Sequence, residues 1–389
     1  MPGGTYLERL RAANRRAVLA LLDADGPLSR ADLARGTGLS RTSVSGLVAD
    51  LIADGHVVET SDRGRPHKGG SGRPPVLVAL NPGTGAVVGV DLGHRHLRVA
   101  VADRSGTTLV EDAEGVDVDE DGKRALDRAA DAVRRLVADA GLVLSDVHGV
   151  GMCVPAPLDR RSARISTGIL RGWRDLSPGD ELGRRLGVPV HVDNDANLGA
   201  LAEHGRGASH GTAHAIYLKV ASGIGAGIVL GGRLHRGATG QAGEIGHVQV
   251  GEDGAICRCG NRGCLETLAA APRLLAVLQP AHDEPLTPAR LLALEDDGDA
   301  GVRRVLTDAG RTVGRALADL CNSINPEVIV LGGSLGASVS LRDGVRAAVD
   351  RYAQPDTAAA VRVVAAELGD RAELVGAVAL AMARSRDTS

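Results

Sequence analysis

His247, Cys257, Cys259 and Cys264 fall in one glycine-punctuated stretch, residues 244–266, that reads EIGHVQVGEDGAICRCGNRGCLE and holds three of the chain's five cysteines. One imidazole and three thiolates make a Cys3His set, which suits a closed, tetrahedral, structural zinc site with no position left for water. A disulfide framework is the competing chemistry, but the chain shows no secretory signal, and an intracellular chain keeps its thiols reduced. Gly243, Gly246, Gly260 and Gly263 allow the backbone to wrap tightly round an ion. Glu244 and Glu266 flank the set, and a metal with four ligands needs neither. Held by the knot, they are free to face the hydroxyls of a small polar ligand.

The elements that must position this stretch belong to a chain of 389 residues, long enough for two or three domains. Hydrophobic residues make up 43%, yet there is no Phe, one Trp and three Tyr, so Leu, Val, Ala and Ile must build the cores. No apolar run approaches the ~20 residues of a membrane span, which predicts a soluble, cytoplasmic protein with no membrane partner. The net charge of −3 is unevenly distributed. Residues 1–80 carry 11 Arg and Lys against 8 Asp and Glu, and the remaining 309 carry 34 against 40. A basic head on an acidic body points to a nucleic-acid contact at one end.

The head has the pattern as well as the charge. Leu7, Leu10, Val18, Leu21 and Leu22 recur at helical spacing before Gly26-Pro27. Ser29 with Asp32 forms a capping box for a helix over 30–37. Ser40 caps the next helix, whose buried stripe is Val44, Leu47, Val48, Leu51 and Ile52. This pair predicts a helix-turn-helix with the second helix entering the major groove, where Arg41, Thr42, Ser43 and Ser45 reach bases or phosphates. Residues 57–59 and 76–78 read as a strand pair around a cationic loop, 61–75, a wing that offers Arg63, Arg65, Lys68 and Arg73 to phosphates or a narrow minor groove.

After Asn81-Pro82-Gly83 the pattern becomes α/β. Strand, glycine turn and strand follow one another over 87–101, and the scheme returns over 215–230, with 221–227 as its turn. A polar run, His191-Val-Asp-Asn-Asp-Ala-Asn197, opens a helix, where Asp or Asn serves as a cap. Residues 328–331 form a buried strand before Gly332-Gly333-Ser334, and 374–383 an apolar closing helix.

Glu-x-Gly-His followed by Cys-x-Cys-Gly-x-x-Gly-Cys-x-Glu resembles the zinc signature of the ROK family (repressors, open reading frames and kinases), whose members bind sugars. The resemblance spans nearly the whole chain. It implies an N-terminal winged helix-turn-helix, residues 1–80, followed by a two-lobed actin-like (ribonuclease H-like) α/β domain. The first lobe would span 83–191, completed by a C-terminal helix over 373–389, and the second lobe, with the zinc site, 192–372. It further implies metal ligation by His247, Cys257, Cys259 and Cys264, and sugar contacts from Asn194, Asp195, Glu244, His247 and Glu266, the histidine using one ring nitrogen for metal and one for sugar.

Two functions are in competition. One is a DNA-binding regulator of sugar genes, expected to be a repressor, that binds a palindromic operator as a homodimer or homotetramer and answers to a sugar, amino sugar or sugar phosphate; Arg171 would suit the last. The other is an ATP-dependent, glucokinase-like sugar kinase with Asp195 as general base. ROK kinases carry Asp-x-Gly-Gly-Thr in the first phosphate loop, where this chain has Asp91-Leu-Gly93-His94-Arg95, and His94 and Arg95 are expected to obstruct the approach of phosphate to backbone. That loop and the DNA-binding head together favour the regulator.

Overall fold

The computed structural model describes residues 6–63, 75–81, 85–165, 170–174 and 176–387. In the head, helix α1 (Tyr6–Asp25) precedes a two-residue strand β1 (Leu28–Ser29), helices α2 (Arg30–Thr37) and α3 (Arg41–Ala53), and strands β2 (Val57–Arg63) and β3 (Val76–Leu80). Ser29 and Asp32 make the reciprocal capping box, and Ser40 caps α3 by accepting from the Ser43 amide at 3.1 Å. Gly38 ends α2 in the left-handed region at φ 70°, a conformation that glycine adopts at no steric cost. The strands pair antiparallel in the order β1-β3-β2. Val18, Leu22, Leu33, Val44, Val48, Leu51, Val57 and Val78 form the core.

Two expectations need correction here. Ile52, read as part of the buried stripe, is 36% exposed, because its position on α3 turns it from the core that Val48 and Leu51 enter. Arg63, read as part of the wing loop, is the last residue of β2, paired in register with Val76. Arg65, Lys68 and Arg73 lie outside the described residues.

The rest of the chain builds two sheets of the same order. The first comprises β4 (Ala86–Leu92), β5 (His96–Asp103), β6 (Thr108–Gly115), β7 (Val147–Val154) and, after a small hairpin of β8 (Leu158–Asp159) and β9 (Arg164–Ile165), β10 (Val190–Asn194). Helices α4 (Gly122–Asp139) and α5 (Pro178–Leu186) lie between its strands in sequence. The order is β10-β7-β4-β5-β6. Helix α6 (Asp195–Arg206) then leads to β11 (Ala215–Val220), β12 (Ile224–Leu230) and β13 (Arg233–His235), followed by the cysteine segment and α7 (Glu266–Ala269), α8 (Ala271–Leu278), α9 (Pro288–Asp296) and α10 (Ala300–Ile324). Strand β14 (Val328–Gly332), α11 (Val339–Tyr352), α12 (Pro355–Ala360), β15 (Arg362–Ala365) and α13 (Ala372–Asp387) finish the chain.

The second sheet runs β13-β12-β11-β14-β15, so in each lobe the first three strands follow one another outward and the fourth and fifth add on the other side. This duplication is the repeat visible in the sequence. Its larger core cluster is aliphatic, as the missing Phe requires: Ile216, Leu218, Leu274, Leu306, Leu317, Ile329 and Leu331 are all buried together, while Tyr217 is buried in a smaller cluster. The 221–227 turn is shorter than expected, since β12 already begins at Ile224. Gly225 and Gly227 are strand residues beneath α6: a Cβ on Gly227 would lie 2.3 Å from the Ala196 carbonyl oxygen. Close helix packing therefore demands that glycine, whether or not a phosphate ever approaches.

Helix α13 ties the lobes together. A Cβ at Gly151 of β7 would come within 1.9 Å of the Ala377 carbonyl oxygen, and one at Gly376 within 2.0 Å of that of Leu198 in α6. At the far end of α6, buried Glu203 accepts hydrogen bonds from the amides of Ala208, Glu367 and Leu368, fixing the chain just ahead of α13.

Candidate functional site

A short 3-10 turn, Ile245–His247, presents the imidazole, and a pair of isolated β-bridges, Gln249 with Cys264 and Ile256 with Arg262, folds the cysteine segment back on it. Gly263 sits at φ 67°, where a Cβ would strike the Gly251 carbonyl oxygen at 1.6 Å, so the turn requires glycine. The ligand atoms of His247, Cys257, Cys259 and Cys264 lie within 4.8 Å of one another. Cys257 Sγ is 3.5 Å from His247 Nδ1, and Cys259 Sγ is 3.7 Å from Cys264 Sγ. Tetrahedral bonds of ordinary zinc length put such atoms roughly 3.5–3.8 Å apart, so these four residues are near enough to hold one metal ion. Burial pushes the Cys257 and Cys264 thiols above their ordinary range, the condition of metal-free thiols that a bound dication reverses.

The ring of His247 divides its nitrogens. Nδ1 faces the thiols, while Nε2 lies 3.7 Å from Glu244 Oε2 on the other side. That side opens into a cleft of about 570 Å3, and Asn194, Asp195, Glu244, His247 and Glu266 all line it. Elements from both lobes therefore bring together the five residues for which sequence implied a common ligand. Asn194 ends β10 and caps α6, its Oδ1 accepting from the amides of Ala196 and Asn197, so capping and cleft lining coincide. Asp193 faces elsewhere, accepting from Asn197 Nδ2 and Arg236 Nε at 2.8 and 2.7 Å. Burial, helped by the charges of Asp195 and Glu266, pushes the Glu244 carboxyl up to about 7. Glu266 opens α7, its Oε1 3.1 Å from Cys257 Sγ and 3.4 Å from Arg258 Nε.

Sequence reasoning missed Lys219, His96 and Glu373, which line the same cleft. Lys219 Nζ is 2.9 Å from Asp195 Oδ2 and 3.2 Å from Glu373 Oε1, and Tyr217 donates to Glu373 Oε1 at 3.2 Å. The signals were present: a lone lysine inside the apolar run AIYLKV, and a glutamate in the first turn of an apolar helix. A charge in either place must be paired.

The first phosphate loop is obstructed, but not as expected. His94 Nδ1 pairs with Asp119 Oδ1 at 2.6 Å, and Arg95 pairs with Asp117, so both side chains are engaged by the segment after β6. His96 folds back instead. Its Nε2 is 3.0 Å from Asp91 Oδ2, and its ring lies where a Cβ on Gly93 would be, 2.1 Å from Cε1. The imidazole fills the space above Gly93 that bare backbone would leave to a phosphate. Burial alone would raise Asp91, but the hydrogen bond and charge of His96, with the charge of Lys219, hold it below the usual carboxylate range. Its Oδ1 is buried without a partner.

On the head, Arg41, Thr42, Ser43 and Ser45 are all exposed along the first turns of α3. Arg11 pairs with Asp50, and Arg15 pairs with Asp54 at 2.5 Å, bracing α1 against the far end of the same helix. Those contacts leave its N-terminal end open to a partner. Among the described residues no helix is long and apolar enough to cross a membrane.

Residues 87–384 match the ROK family model, and residues 13–65 match the MarR family model. The chain is 28% identical to the xylose repressor of Caldicellulosiruptor bescii over 385 residues, covering 95% of this chain and 96% of that protein. It is 32% identical to a glucokinase of Halalkalibacterium halodurans over 305 residues, covering 74% and 92%. A crystal structure of a ROK family transcriptional regulator, a homologue of the E. coli Mlc protein, superposes with a TM-score of 0.79 at 27% identity and covers 97% of each chain. With an actin-like pair of lobes behind a MarR-type winged helix, the chain belongs to the ROK family.

Proposed function

We propose that this protein is a sugar-responsive repressor of genes for sugar uptake or breakdown, not an enzyme. One observation carries this reading: Asn194, Asp195, Glu244, His247 and Glu266 converge on one cleft in a chain that also presents an open recognition helix. The two carboxylates of the cysteine segment and Asp195 accept from sugar hydroxyls, and His247 Nε2 adds a further polar contact. Zinc, bound by Nδ1 and the three thiolates, is structural and holds Glu244 and Glu266 in place. The repressor names of its relatives support the same reading, since they extend over the head as well as the lobes. The effector favours one arrangement of the lobes and shifts the equilibrium by its differential affinity for the two.

The DNA-binding form is a homo-oligomer on a palindromic operator, because one recognition helix covers only a few base pairs. Arg41, Thr42, Ser43 and Ser45 read the groove, and Arg63, Arg65, Lys68 and Arg73 hold phosphates. Replacing Arg63 and Arg65 by Ala is expected to weaken operator binding and to lower the salt slope by about 0.9 for each lost phosphate contact. A mobility-shift titration at several salt concentrations measures both; an unaltered slope would take the wing out of the interface.

The function is tested by selecting duplexes from a random pool with purified protein, then titrating D-xylose, D-glucose and N-acetyl-D-glucosamine against the selected DNA. One of these sugars is expected to change DNA affinity at least tenfold. Failure to enrich any sequence would defeat the reading. The kinase alternative keeps some support from Asp91, Asp195 and the glucokinase relative, and sugar phosphate formed from ATP would restore it.

A further inference from the structure

Resting on the reading of the cleft as a sugar receptor, we propose that Lys219 is the positioning residue of the sugar site: its ammonium clasps Asp195 and Glu373 at once, so that the carboxylate meeting a sugar hydroxyl is fixed to the helix that ties the lobes. Neither oxygen of Asp195 is unoccupied: Oδ1 accepts from the Ala196 amide at 2.8 Å, and Oδ2 from Lys219 at 2.9 Å. Each oxygen retains a second lone pair, which suffices to accept from a hydroxyl.

Lys219 is itself held charged. Burial would lower its pKa, but Asp195 and Glu373, with Asp91 behind them, raise it well above the usual lysine value. The ammonium has three donors and uses two on carboxylates from different elements, α6 and the first turn of α13. A hydroxyl arriving at Asp195 therefore meets a group connected through one cation to the helix that ties the lobes. Behind this pair, His96 Nε2 meets Asp91 Oδ2 at 3.0 Å.

Removing the cation tests this without knowledge of the effector. In Lys219→Met, Asp195, Glu373 and Asp91 remain together, opposed by His96, with Glu244 across the cleft and Tyr217 and Cys153 as neutral neighbours. At least one carboxyl then has a folded-state pKa above its unfolded value. The folded state binds the extra proton, so its stability is fully present below the unfolded pKa and is lost as pH rises through the folded one. The melting temperature of Lys219→Met is expected to lie roughly 5–10 °C below wild type at pH 8 and to recover at least half of that deficit at pH 5.5. Adding Glu373→Gln, which removes one carboxylate, should restore much of the loss at pH 8 and keeps the test valid if the single variant does not fold. A deficit equal at both pH values, or no rescue by Glu373→Gln, overturns the proposal, since lost packing alone is indifferent to pH. If none of the three sugars above alters DNA binding while the deficit follows pH and Glu373→Gln rescues it, the receptor reading fails and the hold of Lys219 on Asp195 is supported.

Discussion

Cys259→Ala is expected to strip the protein of zinc and to lower its stability on the order of 4 kcal/mol, the upper range for single substitutions, where loss of a metal belongs. Cys259 is exposed, so truncating it removes little packing, and a large loss would have to come from an ion held by its thiolate. Metal analysis of purified wild type should find about one zinc per chain, and denaturant unfolding of the two proteins should differ accordingly. Cys321→Ala is the control. Cys321 is buried among aliphatic residues of α10 away from the knot, so its loss should cost a small cavity and leave the zinc content unchanged. Zinc retained in full by Cys259→Ala would falsify the ligand assignment.

Glu244→Ala should abolish the response to sugar while leaving sugar-free DNA affinity close to that of wild type. At pH 8, above the value of about 7 to which burial raises it, Glu244 is mostly ionised; a hydrogen bond to a charged group is worth about 1.5–3 kcal/mol, so effector affinity measured there should fall roughly 10- to 150-fold. Glu244 lines the cleft and lies outside the segment that matches the MarR family, which is why the two readouts should separate. Calorimetry with the responding sugar and a mobility shift without sugar measure them in parallel. A variant that loses both together would mean that Glu244 acts by holding the knot in shape and makes no contact with the effector.

Much of this protein is local in origin and therefore legible in one dimension. The capping box at Ser29 and Asp32, the Ser40 cap, the cysteine spacing and the strand-turn-strand repeat all depend on residues close in sequence, and the structure has each of them, with the second turn of the repeat shorter than expected. Five cleft residues were found because each sits in a short motif with its neighbours. What escaped was set by distance in the fold. Ile52 fits the helical period of α3 yet faces outward, because period alone does not define the width of the face that the head's small core can cover. Gly225 and Gly227 read as part of a glycine turn over 221–227, yet they belong to β12, and it is the approach of α6 that excludes a side chain at Gly227. His94 and Arg95 were the visible departures from the kinase loop, but Asp119 and Asp117, more than twenty residues on, engage them and leave His96 to cover Gly93. Lys219, Asp195 and Glu373 come from three separate parts of the chain. Sequence could say that each charge in an apolar setting needs a partner; only the seating of α13 between the lobes decided that the partners are one another, because a buried charge is stabilised by whatever opposite charge the tertiary packing brings within about 3 Å.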